Sequence, residues 1–141
     1  MSSARTIEYD LARVLLVDDD PASRLTLKTV LEASGYTVDS AASAAEAVGK
    51  LDEGEYELVL SDLQMESPEA GLKVIGHARI KDYKPATALI KTYQNSPPAS
   101  PHQSTMLIEP EDIPGLLSQV ADLISQRATR KLERELRLAG V

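Results

Sequence analysis

A chain of 141 residues that is 43% hydrophobic is long enough for one domain with a real core and too apolar for wholesale disorder. The complete absence of cysteine removes disulfides, thiolate metal sites and cysteine nucleophiles together, and with no Phe or Trp the core must be built from Leu, Val, Ile and Ala. A net charge of −7 argues against nucleic-acid binding by the domain, and no run resembles a signal region or membrane span, so a cytoplasmic protein is expected.

In chain order, residues 1–11 show little pattern and read as an N-terminal arm. Val14-Leu15-Leu16-Val17 is apolar without alternation, as suits a strand buried on both faces, and it ends on Asp18, Asp19 and Asp20. Asp20 followed by Pro21 is a helix start, with Asp20 as N-cap; Leu27, Val30, Leu31 and Ser34 share a face, and Gly35 closes the helix. Residues 36–41 read as a short strand. The capping-box pattern Ser43-Ala44-Ala45-Glu46 opens a second helix with Ala44, Ala47, Val48 and Leu51 inward, ending near Gly54. Leu58, Val59 and Leu60 form another unbroken buried strand, and this one runs out on Asp62.

A polar loop over 64–70 leads to a third helix carrying Gly71, Leu72, Ile75 and Ala78. Pro85 opens a fourth strand, 86–90 or slightly beyond, and Met106-Leu107-Ile108 makes a fifth. The last helix turns Leu116, Leu117, Val120, Leu123 and Ile124 inward. Alternating strands and helices mean a parallel sheet with right-handed crossovers. One helix is missing from the alternation: Pro97, Pro98 and Pro101 forbid a regular helix over 94–104, which is expected to be an irregular or extended loop. In such a sheet the binding crevice lies beyond the carboxyl ends of the strands, so Asp18, Asp19 and Asp62 share one pocket if their strands are neighbours.

These residues in this order, together with Asp62-Leu63-Gln64-Met65, 71–80, 85–90 and Ile108-Glu109-Pro110, resemble the receiver domain of bacterial two-component response regulators over about 12–125. The resemblance implies a flavodoxin-like fold, a doubly wound five-stranded parallel sheet, here with the proline-rich loop in place of a helix and a lengthened C-terminal helix. It implies a non-enzymatic module that a histidine kinase phosphorylates on Asp62. Magnesium would be held by Asp19 directly, by Asp18 through water, and by Asp62 and the backbone carbonyl of Gln64. Helix capping alone would account for Asp20 but poorly for Asp19.

The chain departs from the family pattern where receivers respond to phosphorylation. Glu109 stands where receivers carry a lysine that pairs with the phosphoryl group. The switch hydroxyl at the end of the fourth strand maps to Ile90, with Thr92 two residues on as the other candidate, and the aromatic switch position is Met106. Glu66 replaces a usual proline, with one extra residue before Gly71. The expected function is therefore an atypical receiver, an interaction module with weak or no Asp62 phosphorylation. The alternative is a functional phosphoacceptor whose switch is rebuilt on Thr92, with Lys91 as substitute cation. A metal-dependent phosphohydrolase would need an acid at position 64 and a base near 109, and Gln64 and Glu109 supply neither. His77 and His102 read as surface residues without partners.

The charge is also uneven. Arg127, Arg130, Lys131, Arg134 and Arg137 against Glu133 and Glu135 give the tail a net +3, leaving −10 for the rest. Residues 126–141 read as a helical extension in which Ile124, Ala128, Leu132 and Leu136 draw an apolar line. That line is expected to pair with a second copy as a homodimer, or to lead into a coiled linker in a longer chain.

Overall fold

The structure is a computed structural model that describes residues 12–63, 65–67, 69–90, 106–108 and 113–140. Its elements are β1 (Arg13–Val17), α1 (Pro21–Ala33), β2 (Thr37–Ala41), α2 (Ala44–Glu53), β3 (Leu58–Asp62), α3 (Ala70–Arg79), β4 (Ala86–Ile90), β5 (Met106–Ile108) and α4 (Ile113–Leu138). The strands lie in the order β2-β1-β3-β4-β5, and every neighbouring pair is parallel. The chain winds from β1 to β2, then crosses back to add β3, β4 and β5 on the other side. The reversal falls between β1 and β3, which places the crevice at their carboxyl ends.

Strand pleating divides the core into two layers. Val14 and Leu16 of β1 join Leu58 and Leu60 of β3 against Leu27 and Leu31 of α1 and Leu116, Val120 and Leu123 of α4. Leu15, Val17 and Val59 face the other way, onto Ala47 and Leu51 of α2 and Val74 and Ala78 of α3. Every residue of β3 is buried, which is why the sequence there shows no alternation. Val30 and Val48 are only half-buried, whereas Val74, which the helical reading of α3 passed over, is fully inside.

Local chemistry sets the helix ends. The Asp20 carboxylate accepts the Ser23 N–H at 2.9 Å, with Pro21 in the first turn. Gly35, at φ 105°, takes the left-handed conformation that ends α1. Ser43 Oγ accepts the Glu46 N–H at 3.1 Å, while the Glu46 carboxylate reaches back to Ala42 N–H at 2.8 Å, one residue earlier than a reciprocal capping box would place it.

At the amino-terminal ends of the strands, here called the foot, Asp39 Oδ2 accepts the Tyr56 hydroxyl at 2.7 Å and Arg13 Nη2 at 2.8 Å. The Tyr56 hydroxyl and then the Arg13 guanidinium hold the Asp39 carboxyl below its ordinary value of 3.8. A carboxyl depressed by folding stabilises the folded state fully above that ordinary value, and the contribution is lost as pH falls through the folded pKa. Asp39→Asn is therefore expected to flatten the loss of Tm as pH falls below 3.8. Parallel acid-melting curves for the two proteins would remove Asp39 as a contributor.

The long helix α4 runs without a break through the boundary expected at 125/126. Arg127 ties it to the foot, donating from Nε to the Lys84 carbonyl at 3.0 Å and from Nη2 to the Tyr83 carbonyl at 2.7 Å. The turn it grips includes Lys84 at φ 46°, a left-handed position for a residue with a side chain. Beyond Arg127 every helical residue is exposed except the half-buried Arg134. The segment 94–104, and with it the expectation of a loop in place of a helix, lies outside the described residues.

Candidate functional site

At the carboxyl end of β1 the Asp18 N–H bonds the Ala41 carbonyl at 3.0 Å, keeping the chain in line with β2 as it leaves the sheet. The Asp18 carbonyl accepts Arg24 Nη1 at 2.7 Å, and Asp18 Oδ1 accepts the Asp20 N–H at 2.9 Å. At the end of β3 the Leu63 N–H reaches the Ile90 carbonyl at 2.9 Å, carrying the ladder one step past Asp62. These two strand ends bring Asp18, Asp19 and Asp62 together, with one carboxylate oxygen from each lying within 4.8 Å of the others. Asp18 and Asp62 are buried, at 1% and 3% exposure, and Asp19 faces solvent.

Burial pushes the Asp18 carboxyl up, and Asp19 and Asp20 push in the same direction; hydrogen bonds from the Asp20 N–H and the Asp62 side chain oppose them. Asp18 Oδ2 is buried without a hydrogen-bond partner among the described residues. A buried acceptor left unsatisfied costs about 1–3 kcal/mol, more when charged, and an oxygen-seeking cation among three carboxylates removes that cost.

Two features near Asp62 carry no local signal in the sequence. Gly71 lies so close to the end of β3 that a Cβ there would overlap the Asp62 carbonyl oxygen and stand 3.4 Å from that of Leu63. Its lack of a side chain lets the first turn of α3 press against the strand that carries the acid. Glu66 reaches across to α2, where its Oε2 accepts the Ala44 N–H at 3.2 Å. The residue that departs from the family pattern thus ties the loop after Asp62 to a helix N-terminus.

Ile90 is the Cα partner of Asp62 in the β3–β4 register and is 1% exposed, within the layer that holds Leu60 and Leu116. Gln64, Lys91, Thr92, His102 and Glu109 lie outside the described residues, and for Met106 only the strand backbone is described. His77 corrects the reading of a surface residue without a partner: its Nε2 lies 2.8 Å from Asp52 Oδ1, which also accepts Lys81 Nζ at 2.7 Å. This contact bridges α2 and α3, 25 residues apart, and no spacing rule would have found it.

A five-stranded parallel sheet wound in this order, with an acid trio at its switch point, defines a receiver-type α/β domain. The chain belongs to the response regulator receiver domain family, whose family model matches residues 14–100. It is 33% identical over 129 residues to the transcriptional regulatory protein GlrR of Escherichia coli, covering 87% of this chain and 28% of that protein. It is 43% identical over 53 residues to the gliding motility regulatory protein of Myxococcus xanthus, which is 38% of this chain and 7% of that one. The chain therefore spans a small part of the length of these relatives. Among solved structures it resembles the response regulator TrrA of Thermotoga maritima in complex with Mg(2+)-BeF, at 30% identity and TM-score 0.65, covering 80% of this chain and 99% of that one. NtrX of Brucella abortus shares the fold at TM-score 0.77 and 20% identity, over 89% of this chain and 29% of that one. Among the described residues no helix is long and apolar enough to cross a membrane.

Proposed function

We propose that this domain is an atypical receiver of two-component signal transduction, a cytoplasmic, non-enzymatic interaction module that accepts phosphoryl groups at Asp62 weakly or not at all. The observation that carries this reading is the pairing of Asp62 with buried Ile90. Where receivers present a hydroxyl beside the acceptor, this chain presents an aliphatic side chain that can neither donate to nor follow a phosphoryl oxygen. Glu109 supports the same reading from the sequence, since it directly follows Ile108, the strand partner of Ile90. The proposed partner is a histidine kinase or another signalling protein. The proposed division of the chain is an arm over 1–11, the receiver over 12–125 and a helical extension over 126–141.

The residues present suit magnesium. Their donors are all oxygens, the ion needs only a few carboxylates, and Asp18 Oδ2 has no hydrogen-bond partner among the described residues. Asp18, Asp19 and Asp62, with the Gln64 carbonyl, would hold it; when bound, its charge offsets that of the three acids and of an incoming anion. Asp62 is positioned by the β3–β4 ladder and by the contact of Gly71 with its carbonyl.

Magnesium at about ten times its dissociation constant is expected to stabilise the protein by about 1.4 kcal/mol, read as a rise in Tm. Asp18→Asn should raise Tm without metal, because it removes a buried charge, and should abolish the magnesium-dependent increment. An increment that survives Asp18→Asn would place the ion elsewhere. The intact acid trio favours one other reading, a functional phosphoacceptor that uses Thr92 and Lys91, and labelling by acetyl phosphate separates the two.

A further inference from the structure

The loop between β3 and α3 lends a carboxylate to a helix that is already capped. Glu66 Oε2 accepts the Ala44 N–H at 3.2 Å, across 22 residues of chain. Ala44 is the first residue of α2, and that end of the helix has partners of its own. Ser43 Oγ takes the Glu46 N–H at 3.1 Å, and Glu46 Oε1 takes the Ala42 N–H at 2.8 Å. Because α2 starts without help from Glu66, the larger consequence of the contact lies in the loop.

That loop leaves the strand carrying Asp62. Its start is fixed by the Leu63 N–H on the Ile90 carbonyl at 2.9 Å, and its end by the Ala70 N–H on the Ser67 carbonyl at 3.2 Å. Met65 packs against the layer that holds Val17 and Ala47. The Glu66 contact adds a hydrogen bond from the middle of the loop to a different crossover, with a charged acceptor on the positive end of a helix. Gln64, whose carbonyl is assigned to magnesium above, lies in sequence between Leu63, held by β4, and Glu66, held by α2. Glu66 itself is exposed and is not one of the acids that converge on the pocket, so it reaches the ion only through the backbone it holds.

We propose, resting on the assignment of magnesium to Asp18, Asp19 and Asp62, that Glu66 is a positioning residue for that site. By binding the first turn of α2 it fixes the loop that follows Asp62, and the affinity of the pocket for a divalent cation then depends on α2. A shift of the α2 N-terminus moves Ala44, and Ala44 carries the loop with it.

Two substitutions remove the contact from opposite sides. Glu66→Ala deletes the acceptor. Ala44→Pro deletes the donor at the first helical position, where proline is well tolerated, and Ser43 before it is already extended at φ −153° and ψ 165°. In calorimetric titration of the full chain, each is expected to weaken magnesium binding at least about threefold, the usual consequence of losing one hydrogen bond. Because both break the same bond, the double variant should bind no more weakly than either single one. Glu66→Gln, whose amide oxygen accepts the same N–H, should stay within about twofold of the natural chain. Glu46→Ala loosens the helix's own cap and should lower Tm while leaving magnesium affinity unchanged. In the metal-free protein the Ala44 amide should exchange at least about fivefold faster in Glu66→Ala than in the natural chain, a readout that needs no ion. Unchanged magnesium affinity in Glu66→Ala, additive losses in the double variant, or an equal loss in Glu46→Ala would each overturn the positioning role. An Ala44 amide that exchanges no faster in Glu66→Ala would overturn the contact itself. A natural chain that binds no magnesium, with its Ala44 amide protected, would overturn the magnesium assignment and the positioning role together.

Discussion

Acetyl phosphate with magnesium is expected to label Asp62 slowly or not measurably in the natural sequence, and Glu109→Lys is expected to raise labelling at least tenfold. A tenfold change in rate corresponds to about 1.4 kcal/mol of barrier. The expectation rests on charge. Asp18, Asp19 and Asp62 already share a space of 4.8 Å, and a carboxylate at position 109 in place of a cation adds repulsion of about 1–4 kcal/mol for each acid at contact distance in a wet pocket. An incoming phosphoryl group adds negative charge and finds no lysine. Glu109→Lys reverses the sign of one neighbour, and the gain should disappear when Asp62→Asn is added. Efficient labelling of the natural sequence, abolished by Asp62→Asn, would sink the phosphorylation-independent reading and favour the receiver rebuilt on Thr92 and Lys91. If neither protein is labelled, Ile90 becomes the obstacle to test, through Ile90→Thr in the Glu109→Lys background.

Gly71→Ala should destabilise the domain by about 1–3 kcal/mol, the usual cost of forcing an extra carbon into a packed site. The new methyl group would meet the Asp62 carbonyl oxygen, which is backbone inside a fully buried strand and cannot rotate aside. The same chemical change five positions along α3 should act in the opposite direction. Gly76 is exposed and has nothing within 4 Å of an added Cβ, so Gly76→Ala should stabilise by about 0.5–1 kcal/mol through helix propensity alone. Because the strain at Gly71 acts on the residue that carries the site's central acid, Gly71→Ala should also reduce the magnesium-dependent rise in Tm, while Gly76→Ala leaves it intact. Equal and small Tm changes for the two variants would show that the close approach of α3 to β3 is not enforced.

What the sequence disclosed about the fold came from local signals. The unbroken runs at Val14–Val17 and Leu58–Leu60 identify doubly covered strands because only a strand buried on both faces can dispense with alternation. Asp20-Pro21 and Ser43 with Glu46 mark helix starts through chemistry confined to one turn. Asp18, Asp19 and Asp62 could be grouped because two such strands end on acids and a parallel sheet presents all its carboxyl ends on one side. The contacts that escaped the sequence join residues far apart in the chain. Glu66 reaches Ala44 and His77 meets Asp52 only because the crossovers lay α2 and α3 side by side. Arg127 sits in a run of basic residues that reads as a solvated face, yet its guanidinium satisfies two carbonyls of a turn 43 and 44 residues earlier. Gly71 was legible as a helical residue, but not as the point where a helix touches a strand's backbone, since nothing local distinguishes it from Gly76.

The grip of Arg127 on the carbonyls of Tyr83 and Lys84 gives α4 the mechanics of a pointer. The helix is one continuous rod from Ile113 to Leu138, so its inner portion, packed on the sheet, and its outer portion, surrounded by solvent, turn together about that fixed point. At 1.5 Å per residue Leu138 stands roughly 16 Å past the pivot, and a rotation of about 10° there carries it about 3 Å, close to the width of a methyl group. Leu116 lies as far on the inner side of that pivot as Leu138 lies on the outer, so the same rotation shifts it by about 3 Å, and the tip can swing only as far as the packing of Leu116, Val120 and Leu123 gives way.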